Sequence, residues 1–505
     1  MNAKKSQMMA SDLLQGFAEY FKGTDVAISD LSLDNRQTKA GDLFLACRGA
    51  SVHGVKFLPD AIAAGAVAVA IETDSEQEFQ EIANKHPSIA VFAVSQLTQH
   101  LGAIAAKFYG NPSQKLRLVG ITGTNGKTSC AHLLAQCLDS VNMPCGIMGT
   151  LGAGLWGNTQ PITHTTPNAV DVQRWLWTML NQKAAYVAME VSSHGLEQGR
   201  INACSFEIAV FTNLTRDHLD YHGDIQSYGN SKLRLFQRPE LTKVVVNLDD
   251  PYSLTIIEQL ADNVEVVGVT LDPTLTVEGV KVVLATEIIL QNEGLAFNLE
   301  TPWGKVSIQS KLLGNFNVSN LLCVISVALL LDIPLRQIVE KIKTATAPAG
   351  RLETFVTPDS PLVVVDYAHT PDALEQALLT LQEYAKGKLF VLFGCGGDRD
   401  QGKRAEMGAL AEQLADVIWL TDDNPRTEKS EKIIGDILTG VQNPQAIHVE
   451  SDRKRAIEKV ISAAKSKDDV VLIAGKGHED YQIIGEKCIE FSDRELVAKL
   501  VGEAA

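Results

Sequence analysis

The chain has 505 residues, 45% of them hydrophobic and 21% charged, with a net charge of −16. That balance fits about three ordinary globular domains of roughly 100 to 200 residues each and excludes a disordered chain. Without any basic block, such acidity excludes a general nucleic-acid binder, yet it leaves room for local anion sites.

The N-terminal stretch "MNAKKSQMMASDLLQGFAEYFKG" has lysines but no continuous apolar core, so it does not read as a signal peptide. The first region, residues 1–100, mixes strands such as "GDLFLAC" with alanine-rich stretches expected to be helical, such as "DAIAAGAVAVAI". The second region, 101–346, opens on the strand "LRLVGIT". It continues through the short apolar strands "AAYVAMEVSS", "FEIAVFTNL" and "KVVVNLDD", with helical segments between them. From about residue 264 to 311 its pattern turns to strand alternation, as in "KVVLATEIILQ" and "LAFNLETPWGKVSIQS". The run "LLCVISVALLL" is too short to cross a bilayer and predicts a buried helix.

The third region, 347–505, alternates the strands "LVVVDYA", "KLFVLFGCGG", "DVIWLTDDNP" and "DDVVLIAGKGHE" with amphipathic helices. That alternation predicts a doubly wound, mostly parallel sheet. The fold class expected is therefore α/β with three domains: a central phosphate-loop domain with a smaller β-rich part, and a C-terminal Rossmann-like domain. Eight scattered cysteines with no CxxC pair suit buried, reduced thiols, and the expected compartment is the cytoplasm.

"VGITGTNGKTSC" is the strongest chemical signal. A strand leads through Gly123-Thr124-Asn125-Gly126-Lys127-Thr128 into a helix whose Cys130, Leu133, Leu134, Cys137, Leu138 and Val141 fall on one face. In such a loop, backbone N–H groups and the helix N-terminus face a phosphate. Lys127 neutralises the terminal phosphates and the Thr128 hydroxyl reaches Mg²⁺. ATP is the ligand this implies. Glu190, ending a strand in the same region, suits Mg²⁺ as an oxygen ligand. Asp217, His218, Asp220 and His222 in "TNLTRDHLDYHG" lack zinc spacing, and read equally well as a loop.

In the third region, polar clusters follow the strands: "GGDRD", "TDDNPR" and "GKGHED". Open α/β sheets bind ligands at the carboxyl ends of their strands, so Arg399, Asp423, Asn424, Pro425, Arg426 and Glu479 outline a binding rim. A turn accounts for Asp423, Asn424 and Pro425 but gives Arg426 no task.

"GTNGKTS", "MEVSSHGLEQGR", "TNLTRDHLDYHG", "LLGNFNVSN", "GRLE" and "DYAHTPDAL", in this order, resemble the Mur ligases, ATP-dependent amino-acid-adding enzymes of peptidoglycan synthesis. "FGCGGDRDQGKR", "DDNPR" and "GKGHEDYQ" narrow the resemblance to the branch that adds meso-2,6-diaminopimelate to UDP-N-acetylmuramoyl-L-alanyl-D-glutamate. The resemblance implies three domains, for the uridine nucleotide, for ATP and for the amino acid, in a monomer. It implies that Gly123 to Ser129 hold the phosphates, that Glu190 and His218 bind Mg²⁺, and that Asn317, Arg351 and Asp366 place the nucleotide. Lys232 matches a carbamylated lysine whose new carboxylate binds a second Mg²⁺, with Lys127 completing the catalytic set. Leu33, Asn35, Ala50, Ser51 and Val52 would contact the nucleotide sugar, and His164, Thr165, Thr166, Ser192, Gln198 and Arg200 its peptide end. Gly475 joins the rim residues around diaminopimelate, whose distal carboxylate suits the planar fork of Arg426.

Three rivals stand against this: two enzymes, and a non-catalytic binding protein, which need not keep Lys127, Thr128, Glu190 and Lys232 together. A folylpolyglutamate synthetase would share the ATPase core but lack the first region and the DNPR corner. A dinucleotide oxidoreductase would use "FGCGGDRD", with Asp422 or Asp423 as its ribose partner.

Overall fold

A computed structural model of the protein describes residues 8–49, 52–140, 142–291, 294–357 and 360–502. The chain divides into two compact units. One comprises residues 1–127, 138–245 and 250–266; the other comprises 128–137, 246–249 and 267–505.

The first unit begins with a five-stranded sheet of β1 (Ala18–Lys22), β2 (Asp30–Ser32), β3 (Asp42–Ala46), β4 (Ala68–Glu72) and β5 (Ala90–Val94), in the order β1-β5-β4-β3-β2. Only β1 runs antiparallel to its neighbour. Alternate residues feed two cores: Leu43, Leu45, Ala68 and Phe92 on one face, Phe44, Ala46, Val69 and Val91 on the other. The expectation of one helical stretch over "DAIAAGAVAVAI" is corrected here. Helix α1 (Leu58–Ala63) covers its start, Gly65 takes a φ of 106°, and "AVAI" becomes β4. The glycine breaks the helix, and β-branched Val69 and Ile71 fit a strand buried on both faces.

The same unit holds a second sheet, ordered β9-β8-β7-β10-β6-β11-β12. Its strands are β6 (Arg117–Thr122), β7 (Cys145–Gly149), β8 (Gly152–Leu155), β9 (Asn158–Gln160), β10 (Tyr186–Glu190), β11 (Ile208–Phe211) and β12 (Lys243–Asn247). Strands β7, β10, β6 and β11 are mutually parallel, so the loops at their carboxyl ends gather on one edge. Helix α2 (Lys127–Leu138), whose residues 128–137 belong to the other unit, follows the loop after β6, and α3 (Ile225–Leu233) carries Lys232. Val141, expected on the face of α2, lies outside the described residues; the helix ends at Leu138.

In the second unit, β13 (Glu265–Thr270), β14 (Lys281–Gln291), β15 (Gly294–Thr301) and β16 (Gly304–Ser310) form the β-rich part foreseen from alternation. "LLCVISVALLL" lies in α4 (Asn315–Leu330), buried along nearly its whole length. No helix among the described residues is long and apolar enough to cross a membrane.

The rest of this unit is a six-stranded sheet in the order β17-β18-β22-β19-β20-β21. Its strands are β17 (Glu353–Phe355), β18 (Leu362–Asp366), β19 (Leu389–Phe393), β20 (Val417–Leu420), β21 (His448–Val449) and β22 (Val470–Ala474). All pairs are parallel except β17 with β18. One face packs Leu362, Val364, Val391 and Leu472 against α5 (Pro371–Gln382), α6 (Gly402–Leu414) and α7 (Ser430–Leu438). The other packs Val363, Val365, Leu392 and Ile473 against α8 (Arg453–Ala463) and α9 (Asp493–Val501). This is a doubly wound domain, and the strand period of two is what gives each helical layer its own core.

Candidate functional site

In the first unit the phosphate loop leaves the buried end of β6 at Gly123, whose φ is 151°. A Cβ there would lie 1.9 Å from Thr212 Oγ1, so no larger residue fits without moving β11's end. That end holds the loop in shape. Thr124 N donates to Asn213 O (2.8 Å), Asn125 N donates to Asn213 Oδ1 (2.9 Å), and Thr212 Oγ1 donates to Asn125 O (2.6 Å). Thr124 Oγ1 and Thr215 exchange two further hydrogen bonds. Gly126, with a φ of 86°, hands the chain to α2. Lys127 Nζ donates to Gly123 O (2.9 Å) and Thr124 O (2.8 Å), which keeps its charge over the loop. Thr128 and Ser129 follow as the next residues of the helix.

Lys232 reaches the same loop. Its side chain is 1% exposed, Nζ donates to Gly123 O at 2.8 Å, and Nζ sits 4.1 Å from the centre of the Tyr228 ring. Burial, helped by the Lys127 charge, lowers its pKa well below the usual lysine value. The site thus shifts Lys232 toward the neutral amine, the form that reacts with CO₂.

Glu190 is fully buried at the end of β10. Thr150 N donates to its Oε1 (2.8 Å) and Thr150 Oγ1 to its Oε2 (3.2 Å). Thr150 Oγ1 lies 3.1 Å from Thr165 Oγ1. Thr166 Oγ1 donates to Glu190 O and accepts from Ser192 N, and Arg200 Nη1 donates to Thr166 O (2.6 Å). Arg200 also grips Gln198 Oε1 through Nε and Nη2, and Gln198 Nε2 donates to the Tyr221 hydroxyl. Thr165, Thr166, Ser192, Gln198 and Arg200 thus form one network around Glu190, whereas His164 is exposed and, among the described residues, its ring pairs with Thr163 Oγ1 outside that network.

His218 is exposed, with a φ of 53°, and its ring centre is 5.1 Å from that of His194. His222 turns inward instead: Nε2 is 3.0 Å from Ser193 Oγ and Nδ1 3.1 Å from Glu197. Burial lowers the His222 pKa against the pull of Glu197. The Asp220 side chain lies outside what the structure describes. No group of three or more His, Cys, Asp or Glu among the described residues could hold a metal. A cation here would therefore need oxygens from a phosphate or from a modified Lys232 as well.

Leu33, Asn35 and Val52 line a cleft of about 660 Å³ together with Phe44, Cys47 and Phe57. Ala50 and Ser51 lie outside the described residues.

In the second unit, Asn317 is buried on α4; its Nδ2 donates to Leu313 O, and its Oδ1 accepts from Asn320 Nδ2. Asp366 ends β18, and its carboxylate accepts from Leu352 N (2.7 Å) and Ala368 N (2.8 Å). Burial raises its pKa, opposed by those N–H groups and by Arg351. The Arg351 guanidinium lies 5.0 Å over the Tyr367 ring. Gly350 and Gly477 touch so closely that a Cβ on Gly350 would sit 2.1 Å from Gly477 C.

The three polar clusters of this unit come together at the carboxyl ends of β19, β20 and β22. Asp423, Asn424 and Pro425 are buried. Asn424 Nδ2 donates to Glu479 Oε2 (3.0 Å) and Asn424 Oδ1 accepts from Ile483 N (2.9 Å). Burial raises the Asp423 pKa, against Arg453 and Lys476. Arg426 adopts a left-handed φ of 51°; its N donates to Ile483 O and its O accepts from Gly485 N. These bonds pin it to the hairpin of β23 (Tyr481–Ile484) and β24 (Lys487–Glu490). Its Nη1 donates to Gly397 O (2.9 Å), and among the described residues no carboxylate pairs with it. Arg399 is exposed beside Gly396, which Arg426 also approaches. Gly475, with a φ of 117°, lets Asp423 close in.

Several residues here escaped sequence reasoning. Lys476 is fully buried between Glu479, Asn424 and Asp423. Arg453 pairs with Asp493, and Arg404 with Glu428. Asn213 lay inside a quoted motif, yet only the acids and histidines beside it drew notice. The available signal was a side-chain amide at the carboxyl end of β11, the strand beside β6, from which the phosphate loop leaves.

Three family models match the chain: "Mur ligase family, catalytic domain" over residues 27–109, "Mur ligase middle domain" over 121–328 and "Mur ligase, glutamate ligase domain" over 350–477. The UDP-N-acetylmuramoyl-L-alanyl-D-glutamate–2,6-diaminopimelate ligase of Ectopseudomonas mendocina (strain ymp) is 46% identical over 469 residues, 93% of this chain and 94% of that one. The enzyme of the same name from Alkalilimnicola ehrlichii (strain ATCC BAA-1101 / DSM 17681 / MLHE-1) is 44% identical, covering 98% of this chain and 99% of its own. A solved structure of a ligase of that name superimposes with a TM-score of 0.71 at 34% identity, covering 98% of this chain and 99% of the other.

Proposed function

We propose a division of labour for this chain, which belongs to the Mur ligase family. The protein is an ATP-dependent ligase that joins 2,6-diaminopimelate to UDP-N-acetylmuramoyl-L-alanyl-D-glutamate in peptidoglycan synthesis. Near-full-length identity to two ligases of that name carries this conclusion. ATP and the two other small molecules are its substrates.

A carboxylate is a poor electrophile, so the chemistry begins by activating it. The glutamyl carboxylate oxygen of the nucleotide dipeptide attacks the γ-phosphorus of ATP, ADP leaves, and an acyl phosphate forms. The amine of diaminopimelate then attacks the acyl carbon, the tetrahedral intermediate expels phosphate, and the nitrogen loses its proton. The protein contributes mainly position and charge neutralisation.

The phosphate loop, Gly123 to Ser129, cradles the phosphates, with Lys127 over the transferred group; its rigid bonding to Thr212 and Asn213 supports this. Asn317, Arg351 and Asp366 place the nucleotide. The cleft at Leu33, Asn35 and Val52 receives the uridine end, and the network of Thr165, Thr166, Ser192, Gln198 and Arg200 receives the peptide end. Glu190, His218, Thr128 and a carbamylated Lys232 would hold Mg²⁺, which would neutralise charge on the phosphate oxygens. The buried Glu190 carboxylate and the neutral-prone Lys232 amine fit that role. Arg399, Asp423, Asn424, Pro425, Arg426, Gly475 and Glu479 bind diaminopimelate, the meso isomer by preference. Residues 1–100, 101–346 and 347–505 serve the uridine nucleotide, ATP and the amino acid in turn, in a cytoplasmic monomer.

The test is phosphate release with ATP, the UDP-muramoyl dipeptide and a panel of amino acids. Release should require all three substrates and be fastest with meso-diaminopimelate. Fastest turnover with L-lysine or L-glutamate would overturn the assignment.

A further inference from the structure

Lys476 presents a puzzle that the reaction alone does not explain. It follows β22, and its side chain is fully buried. A buried ammonium is costly unless it is paired and hydrogen-bonded. Its Nζ lies 3.0 Å from Glu479 Oε2, 3.3 Å from Asn424 Oδ1 and 3.9 Å from Asp423 Oδ1, and 5.3 Å from the Tyr481 ring centre.

Of the other buried cations of this unit, Arg404 meets Glu428 and Asp436, 12% and 35% exposed and outside the rim, and Arg453 makes a fully inward pair. Arg453 is matched to Asp493, whose side chain is 0% exposed, so both charges face inward and cancel. Lys476 differs. Its partners Glu479 and Asp423 keep side-chain exposures of 16% and 9%, and both belong to the rim. The charge count differs as well. With the Arg453–Asp493 pair neutral, Asp423, Glu479 and Lys476 sum to one negative charge. That is the complement of one ammonium group. Without Lys476 the two acids would repel each other or take up a proton.

Lys476 also fixes direction. It and Asn424 Nδ2 both donate to Glu479 Oε2, so that oxygen is committed and the carboxylate plane is set.

We propose that Lys476 is a positioning residue that sets the rim's selectivity for the second amino group of diaminopimelate, by orienting Glu479 and leaving the Glu479–Lys476–Asp423 group a single net negative charge. This rests on reading the rim as the diaminopimelate site. It assigns the two ends of the distal head to different residues: the carboxylate to Arg426, and the ammonium to the Glu479–Lys476–Asp423 group.

Two analogues separate these. L-Lysine lacks the distal carboxylate, and 2-aminopimelate keeps that carboxylate but lacks the second amine. Specificity constants for diaminopimelate, 2-aminopimelate and lysine would be measured by phosphate release in the full-length wild type, Lys476→Met and Glu479→Gln. KM for ATP serves as the check on the fold. In the wild type diaminopimelate should outcompete 2-aminopimelate. Lys476→Met should shrink that ratio by about tenfold or more, the scale of one charge-assisted hydrogen bond. Its preference for diaminopimelate over lysine and its KM for ATP should survive. Should Lys476→Met not fold, Lys476→Gln, which can still donate hydrogen bonds without the charge, is read by the same ratio. A ratio unchanged in the folded Lys476 variant but collapsed in Glu479→Gln overturns the role of Lys476 alone. A ratio unchanged in Glu479→Gln overturns it together with the reading of the rim.

Discussion

Arg426→Ala removes the one side chain that a turn did not require. Its backbone already occupies the left-handed region, and both of its backbone hydrogen bonds go to the β23–β24 hairpin, so alanine inherits the same conformation and partners. The fold loses one side-chain bond, Nη1 to Gly397 O. What the reaction loses is larger. The guanidinium has no carboxylate partner among the described residues, so its remaining donors are available to a bidentate carboxylate. Two charge-assisted hydrogen bonds at about 1.5 to 3 kcal/mol each give about 3 to 6 kcal/mol, or a factor of about 10² to 10⁴. The quantity to measure is the ratio of specificity constants for meso-diaminopimelate and L-lysine, by phosphate release at saturating ATP and nucleotide dipeptide. Arg426→Ala should lower that ratio by this factor, with KM for ATP unchanged. Arg426→Lys, which keeps the charge but not the fork, should fall between. A ratio that stays constant through both substitutions would refute the assignment of Arg426 to the distal carboxylate.

Asn213→Ala cuts two side-chain bonds to Asn125, worth about 1 to 3 kcal/mol together, and should raise KM for ATP from about fivefold to about a hundredfold. An unaltered KM would mean that the loop holds its shape without that clamp. Lys232 should make stability depend on pH. Its folded pKa is lowered, so between that value and the unfolded lysine value the unfolded chain binds more protons, and stability rises with pH. In CO₂-free buffer the wild type should therefore gain stability relative to Lys232→Met as pH rises toward the ordinary lysine value of about 10.4, and a pH-independent difference would contradict the lowered pKa.

The doubly wound sheet was legible because its strands are unbroken apolar runs, and the rim followed from what stands at their carboxyl ends. Glu190 was found for the same reason. The stretch "DAIAAGAVAVAI" misled because alanine is at home in both helices and buried strands; Gly65 and the valines after it carried the correction. Lys476 was not legible. It stands one residue from Gly475 in a motif already noticed, but only long-range packing shows that its charge is turned inward toward Asp423 and Glu479. The grip of Thr212 and Asn213 on the phosphate loop joins residues far apart in sequence, and no local pattern reports it. Lys232 came from the family resemblance alone; its burial against the loop is a fact of the tertiary structure.

The contact of Gly350 with Gly477 bears on how such enzymes can be re-engineered. Residues 475–480 look like a portable cassette, a short loop that could be grafted onto a related scaffold to change the amino acid it adds. The loop is not portable by itself. Its turn rests on a bare backbone patch at Gly350, immediately before Arg351, and a single methyl there would fall 2.1 Å from Gly477 C and 2.3 Å from His478 N. Such an overlap lies against main chain, which cannot swing aside as a side-chain tip would. A recipient with any side chain at that position would tilt the grafted loop and carry Glu479 off its mark. The cassette has to travel with its glycine seat from the other end of the domain.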